Sequence, residues 1–260
     1  MDLVSVIIPY YSSNSDLLFR AIESVYKQSY KRIQVVVCVD GSNIDRGLFR
    51  KLTESSTVDF KVVYHVTNKG ISLARNSAVR ASDGKWLTWL DADDTLDEFC
   101  VENLVKLSKD MVMVLGNCLV YEDNDLYLRD IGKYIEEAKL FWKTENDPFL
   151  HNITAIQPEL VSKEAFIKVG GFRPEYKYAE MTDFFLRVLS TYGIESFAHS
   201  SKAIYNYHRD MSSHSQKDRE ALFNYRIKAL MDYAIRMKYS VNNIKYEARN
   251  SDGMQHFVVY

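Results

Sequence analysis

Apolar positions in the first hundred residues fall into short solid blocks, and segments with helical spacing separate the blocks. Residues 3–9 (LVSVIIP) form the first block. A solid apolar run of this length predicts a buried strand, and Pro9 ends it. In residues 16–28, Leu18, Ala21, Ile22 and Val25 recur at helical spacing, which predicts a helix with one inward face. Residues 33–39 (IQVVVCV) predict a second strand, closed by the turn triplet Asp40-Gly41-Ser42. Residues 46–52 suit a short helix, and residues 60–66 a third strand. Asn68-Lys69-Gly70 suits a turn, and residues 71–81 a helix with Leu73, Ala74 and Ala78 inward. Residues 86–90 predict a fourth strand. Strands alternating with helices over short connections predict a parallel, doubly wound half of about 100 residues.

The remainder is less regular. Residues 97–109 predict a helix, and residues 111–115 and 119–122 predict strands. A polar stretch with acids and aromatics covers 122–147. Residues 152–160 suit extended chain, and 162–169 a helix closed by Gly170-Gly171. A helix over 179–192 and strands near 194–198 and 203–207 follow. Residues 216–238 predict a long helix with Leu222, Tyr225, Ala229, Tyr233 and Met237 along one stripe. Its Lys and Arg residues do not share one face, which favours a packed helix over a membrane-lying one. Residues 246–260 carry no pattern that places them.

Composition narrows the class without naming a chemistry. Of 260 residues, 47% are hydrophobic and 26% charged, which suits an ordinary globular core. The net charge of −2 gives no global reason to expect nucleic acid. Cys38, Cys100 and Cys118 are odd in number and lack CxxC spacing, so they read as reduced buried thiols in a cytoplasmic protein. No secretory signal pattern or membrane-length apolar run is present.

The candidate chemistry lies at strand ends. The run Trp86-Leu87-Thr88-Trp89-Leu90 stops abruptly at Asp91-Ala92-Asp93-Asp94. The carboxyl ends of strands are where open parallel sheets place ligands. Converging carboxylates repel one another unless a cation sits among them, and such a cation commonly holds phosphate oxygens. A helix N-cap at Asp94 or Thr95 is the plainer alternative; it leaves Asp91 unexplained. Tyr10-Tyr11 and Asp40 stand at two other strand ends.

VSVIIPYY, Ser24 with Gln28-Ser29-Tyr30, VVVCVDGS, NKGISLARN, WLTWLDADD, GGFRPEY and the helix ending in Arg187 follow in a set order. In that order and spacing, about residues 3–210 resemble the family 2 glycosyltransferases. The resemblance implies the GT-A fold: an α/β protein with a Rossmann-like nucleotide-binding half, a mixed central sheet flanked by helices, and here a C-terminal helical extension. It implies a transferase domain over 1–210, divided into a nucleotide half (1–95) and an acceptor half (96–210), with 211–260 as helix and tail. It further implies an inverting transfer of a sugar from a nucleoside-diphosphate sugar, UDP-sugar above all, to a saccharide or glycoconjugate hydroxyl, with Mn²⁺ or Mg²⁺ as cofactor.

Residue by residue, the resemblance sets Pro9 and Tyr11 against the nucleobase and Asp40 on the uracil N3–H. Val39 stands where the family has a first Asp. Arg75 would reach the base or diphosphate, with Lys69 able to share that charge. Asn68 and Asn76 would hold the turn. Asp91-Ala92-Asp93 matches the family's Asp-x-Asp: Asp93 would ligate the metal, and Asp91 would touch the ribose and a metal-bound water. Arg209 would stabilise leaving-group charge, with His208 or His214 as further metal ligands. The acceptor side departs from the pattern. Gly170-Gly171-Phe172, Glu180, Asp183 and Arg187 match, but Met181 occupies the catalytic-base position, and a thioether cannot accept the proton. Either Glu180 or Asp183 takes over as base, or the chain binds a nucleotide sugar with little or no catalysis. A sugar nucleotidyltransferase would want a glycine-rich basic loop after the first strand, and residues 9–16 contain no Gly, Lys or Arg. The long C-terminal helix leaves open a homodimer or a peripheral contact with the inner membrane face.

Overall fold

The computed structural model describes residues 1–11, 14–42, 44, 47, 49, 58–122, 125–153, 157–209, 218–249 and 254–260. Strand β1 (Val4–Tyr10) lies at the centre of the first half. It pairs in parallel with β2 (Ile33–Asp40) on one side and β4 (Trp86–Trp89) on the other. Strand β3 (Asp59–His65) adds in parallel outside β2. Helices α1 (Ser15–Tyr26) and α2 (Ile71–Ala81) make the crossovers. Every residue of β2 is buried, as expected of a strand covered on both faces. The expected short helix over 46–52 falls largely outside the described residues.

The sheet continues in mixed orientation. After β5 (Thr95–Leu96), α3 (Cys100–Val105) is shorter than the spacing predicts and is not capped by Asp94 or Thr95. Instead Thr95 and Leu96 pair antiparallel with β10 (Phe197–Arg209). The two strands expected over 111–122 are one continuous strand, β6 (Met113–Glu122). Of the two expected over 194–207, Ile194–Ser196 is a 3-10 turn and the rest is one strand, β10, with a register shift between His199 and Ile204. That bulge lets one strand bend and stay paired with β6, and the shift disguises it as two strands in the hydrophobic pattern. The polar stretch after 122 holds edge strand β7 (Asp125–Arg129) and helix α4 (Gly132–Phe141). Then come α5 (Pro148–His151), β8 (Asn152–Ile153), β9 (Glu159–Ser162), α6 (Lys163–Lys168) and α7 (Glu180–Tyr192). The strand order is β3-β2-β1-β4-β9-β6-β10-β5, with β7 beside β6. Strand β9 runs antiparallel between β4 and β6, and so joins the two halves into one sheet.

The C-terminal segment is part of this core. Helix α8 (Arg219–Met237) buries Ala229, Leu230, Tyr233 and Ala234 in the same apolar cluster as Trp89 and Phe184. Its buried stripe also takes in Arg226, whereas Leu222, Tyr225 and Met237 are only half-buried. The unplaced tail is a hairpin, β11 (Ile244–Arg249) with β12 (Gln255–Val259), and β12 pairs with β8. The Asp147 carboxylate anchors this arrangement. It accepts from Phe149 N–H at 2.9 Å and from the Tyr233 and Tyr239 hydroxyls at 2.6 Å each. Among the described residues, no helix is long and apolar enough to cross a membrane.

Candidate functional site

The acids after β4 divide their work. Asp94 is fully buried and ties the end of β4 to the end of β10: its Oδ2 accepts from the Tyr205 hydroxyl at 2.6 Å and its Oδ1 from His208 N–H at 2.8 Å. Tyr205 Oη in turn accepts from Asp91 N–H at 3.1 Å. Burial, and then the neighbouring Asp93 and Asp91, push the Asp94 carboxyl well above the usual carboxylate range. Asp91 and Asp93 are only half-buried. Arg20 of α1 holds the loop from outside by donating to the Asp93 carbonyl.

Asp91 is joined to the opposite half of the molecule by Arg75. One Arg75 terminal nitrogen lies 2.7 Å from Asp91 Oδ1 and the other 2.5 Å from Glu180 Oε1. The guanidinium is 1% exposed, so Arg75 is a core residue of α2. Burial alone would lower its pKa, but Asp91 and Glu180 more than reverse that, and Arg75 stays charged. Its face rests on the Phe172 ring, 5.4 Å from the centroid. Phe172 packs edge-on against Trp89. An aromatic layer of Trp89, Phe166, Phe172 and Phe184 thus supports the bridge from beneath.

The Gly-Gly-Phe turn is locked to the same helix. Asn76 clamps Phe172, accepting its N–H at 2.9 Å and donating to its carbonyl at 2.7 Å. Asn76 therefore holds this turn, while Asn68 holds the earlier one by accepting from Gly70 N–H at 3.0 Å. Gly171 has φ +67°, and a Cβ there would sit 2.8 Å from the Asn76 oxygen, so a side chain is excluded twice over. Arg187 donates to the Val169 and Gly171 carbonyls at 2.6 Å each and to Asp183 at 2.9 Å.

The two candidate bases face different surroundings. Asp183 is fully buried between Arg187 and Arg173, and its pKa is raised by burial against the pull of those arginines. Glu180 faces Arg75 and, through it, Asp91. Met181 is buried in the apolar cluster.

At the nucleotide end, Tyr11 is 59% exposed just beyond β1 and Pro9 is half-buried. The Asp40 carboxylate is buried. It accepts from the backbone N–H groups of Lys69 and Gly70 at 2.9 Å each, and His65 Nδ1 lies 2.6 Å away. Asp40 thus anchors the loop leading into α2. Gly41 beside it has φ +76°, with no room for a Cβ against Asn68. Lys69 itself is exposed, and it is its backbone N–H that binds Asp40.

His208 stacks on Tyr121 with centroids 4.8 Å apart, and its Nε2 lies 3.4 Å from Thr95 Oγ1. Burial, then Arg20, lowers its pKa and favours the neutral imidazole that metal ligation needs. Arg209 closes β10 with only its backbone described, and His214 lies outside the described residues. Among the described residues, no group of three or more His, Cys, Asp or Glu side chains is arranged to hold a metal by itself. The half-buried carboxylates of Asp91 and Asp93 are oxygen ligands of the type that Mg²⁺ and Mn²⁺ take together with phosphate oxygens.

Residues 5–170 match the family described as Glycosyl transferase family 2. The chain belongs to this family. Glycosyltransferase GlyA of Streptococcus pneumoniae is 35% identical over 106 residues, covering 40% of the chain and 15% of GlyA. The UDP-Glc:alpha-D-GlcNAc-diphosphoundecaprenol beta-1,3-glucosyltransferase WfaP of Escherichia coli is 35% identical over 95 residues, or 36% of each chain. The crystal structure of S. aureus TarS 1-349 in complex with UDP-GlcNAc superposes with a TM-score of 0.68 at 17% identity, over 90% of this chain and 66% of that one. The chain therefore spans only part of the length of these relatives. The family 2 fold is the GT-A fold, with a mixed sheet flanked by helices.

Family membership accounts for the motifs, but several residues that build the site lie outside them. Tyr205 gave no signal beyond an aromatic in a strand. Glu159 sits in a strand as its acid-bearing first residue, fully buried, with one carboxylate oxygen accepting from the Trp89 indole N–H and the other without a partner. Burial pushes its pKa up to about 8. An acid beginning a strand ordinarily reads as solvent-facing, and only the pairing of β9 between β4 and β6 places it inside.

Proposed function

We propose that this chain is an inverting glycosyltransferase that moves a sugar from a nucleoside-diphosphate sugar, with UDP as the nucleotide, to an acceptor hydroxyl. The supporting observation is the Asp91–Arg75–Glu180 bridge, which sets a carboxylate at the acid-rich strand end within one guanidinium of a carboxylate on α7. The binding of UDP-GlcNAc by TarS and the UDP-Glc named for WfaP support the choice of donor. In this reading residues 1–95 hold the donor and residues 96–210 the acceptor. Tyr11 stacks on the base beside Pro9. Asp40 accepts from the base while anchoring its loop. Asp91 and Ala92 line the ribose, and Arg209 would stabilise leaving-group charge.

Asp93, with His208 or His214, would hold a divalent cation together with the diphosphate oxygens. When bound, that cation supplies positive charge to the leaving group. Glu180 takes the acceptor proton in place of the missing Asp at 181. Arg75 orients Glu180 toward the donor wall, and Asp183 is a positioning residue for the Gly-Gly-Phe turn. A single displacement with the base opposite the leaving group inverts the anomeric centre.

Steady-state donor turnover in Glu180→Gln checks this assignment. Loss of a general base predicts a fall of about 10²–10⁴-fold with UDP affinity kept. Turnover equal to that of the wild type would remove Glu180 from the role. If the wild type binds UDP-sugar but never turns it over, the binding-only reading motivated by Met181 replaces this one.

A further inference from the structure

Helix α8 carries a buried charge that the described residues compensate only in part. Arg226 occupies the apolar stripe one turn before Ala229 and Leu230 and is 6% exposed. Among the described residues, its Nε and Nη1 have no hydrogen-bond partner. Its electrostatic neighbours are Arg129 of β7, Glu180 of α7, Tyr207 of β10 and Tyr246 of β11. The nearest carboxylate in this set, Glu180, is already paired with Arg75 at 2.5 Å, and Arg129 adds a second positive charge. Burial, then Arg129, lowers the Arg226 pKa to about 10, so it remains a cation at neutral pH. A buried cation that shares its one described carboxylate neighbour with another arginine is costly, and packing alone is served better by an apolar residue of similar length. Arg presents its donors in a planar fork suited to phosphate oxygens.

We propose that Arg226, with Arg129 beside it, forms a subsite for a phosphoryl oxyanion next to Glu180. This rests on the reading of Glu180 as the acceptor-side base. The oxyanion is a phosphate carried by the acceptor or the diphosphate of the donor; the chemistry recognised is the same.

Thermal unfolding and calorimetry with inorganic phosphate, at constant ionic strength and with no nucleotide or divalent metal, test the subsite. The wild type is expected to gain melting temperature with phosphate. Arg226→Met is expected to fold with equal or higher stability in phosphate-free buffer and to bind phosphate about ten-fold more weakly or worse. Arg226→Lys, which keeps the charge but not the fork, is expected to respond weakly, and it carries the test if the Met variant does not fold. No phosphate response in the wild type, or an undiminished response in the variants, overturns the proposal. A UDP titration with Mn²⁺ then separates the sources. Unchanged UDP affinity in Arg226→Met assigns the subsite to an acceptor phosphate, and a loss of about ten-fold assigns it to the donor diphosphate. If UDP binds neither protein, the donor reading fails while a phosphate response lost in the variants still stands.

Discussion

Arg75 shows how a buried guanidinium becomes a structural hinge point: two carboxylates satisfy its terminal nitrogens, and Phe172 covers its face. Met181, one residue from Glu180, points instead into the apolar cluster. Restoring an acid there by Met181→Asp would bury a carboxylate among apolar groups, at a cost of about 3 kcal/mol. The expected result is a lower denaturation midpoint with no gain in turnover; equal stability with higher turnover would show that position 181 faces the acceptor. Glu159 gives a pH signature. Its folded pKa, about 8, lies above the ordinary 4.5, so the folded state holds its proton more tightly than the unfolded one. Its contribution to stability is fully present below about 4.5 and is lost as pH rises to about 8. Glu159→Gln keeps an acceptor for the Trp89 indole and should flatten that decline in chemical-denaturation free energies measured across the window. An unchanged slope would place the proton elsewhere.

At the scale of elements, the strands of the first half were legible because each is a short apolar block with breakers at both ends. The helix over Ile71–Ala81 was legible by its spacing. What the pattern could not disclose depends on contacts distant in sequence. The bulge in β10 split one strand into two apparent ones, and the pairing that buries Glu159 joins residues far apart in the chain. The burial of Arg226 on the inner face of its helix likewise depends on partners distant in sequence. Asp94 suited a helix cap by type, but the chain continues into β5 and Asp94 turns inward to Tyr205. The C-terminal tail has little pattern of its own because β12 borrows its partner from β8. Asp147 holds this module through two tyrosyl hydroxyls, and its own pKa is raised by burial. Asp147→Ala leaves those hydroxyls unsatisfied, at a cost of about 3 kcal/mol. Amide exchange across Arg219–Met237 should then quicken by roughly 100-fold relative to the parallel sheet. Uniform acceleration across the whole chain would mean that the helix has no separate opening.

At the scale of the molecule, one mixed sheet carries the nucleotide half into the acceptor half through β9, and α2 spans the same join with Arg75 and Asn76. The site sits where this join meets the carboxyl ends of β1, β2 and β4, the place that open α/β sheets use for ligands. The family motifs made that location legible from the sequence. The departure at Met181 made the proton's destination the uncertain part, and the structure turns Glu180 toward Asp91 and Asp183 toward Arg187. The most direct test of the account is isothermal titration of UDP into the wild type and Asp93→Ala, each with and without Mn²⁺. The account predicts Mn²⁺-dependent binding that Asp93→Ala loses. Binding that is absent in the wild type, or that is unaffected by the metal and by the substitution, would contradict it.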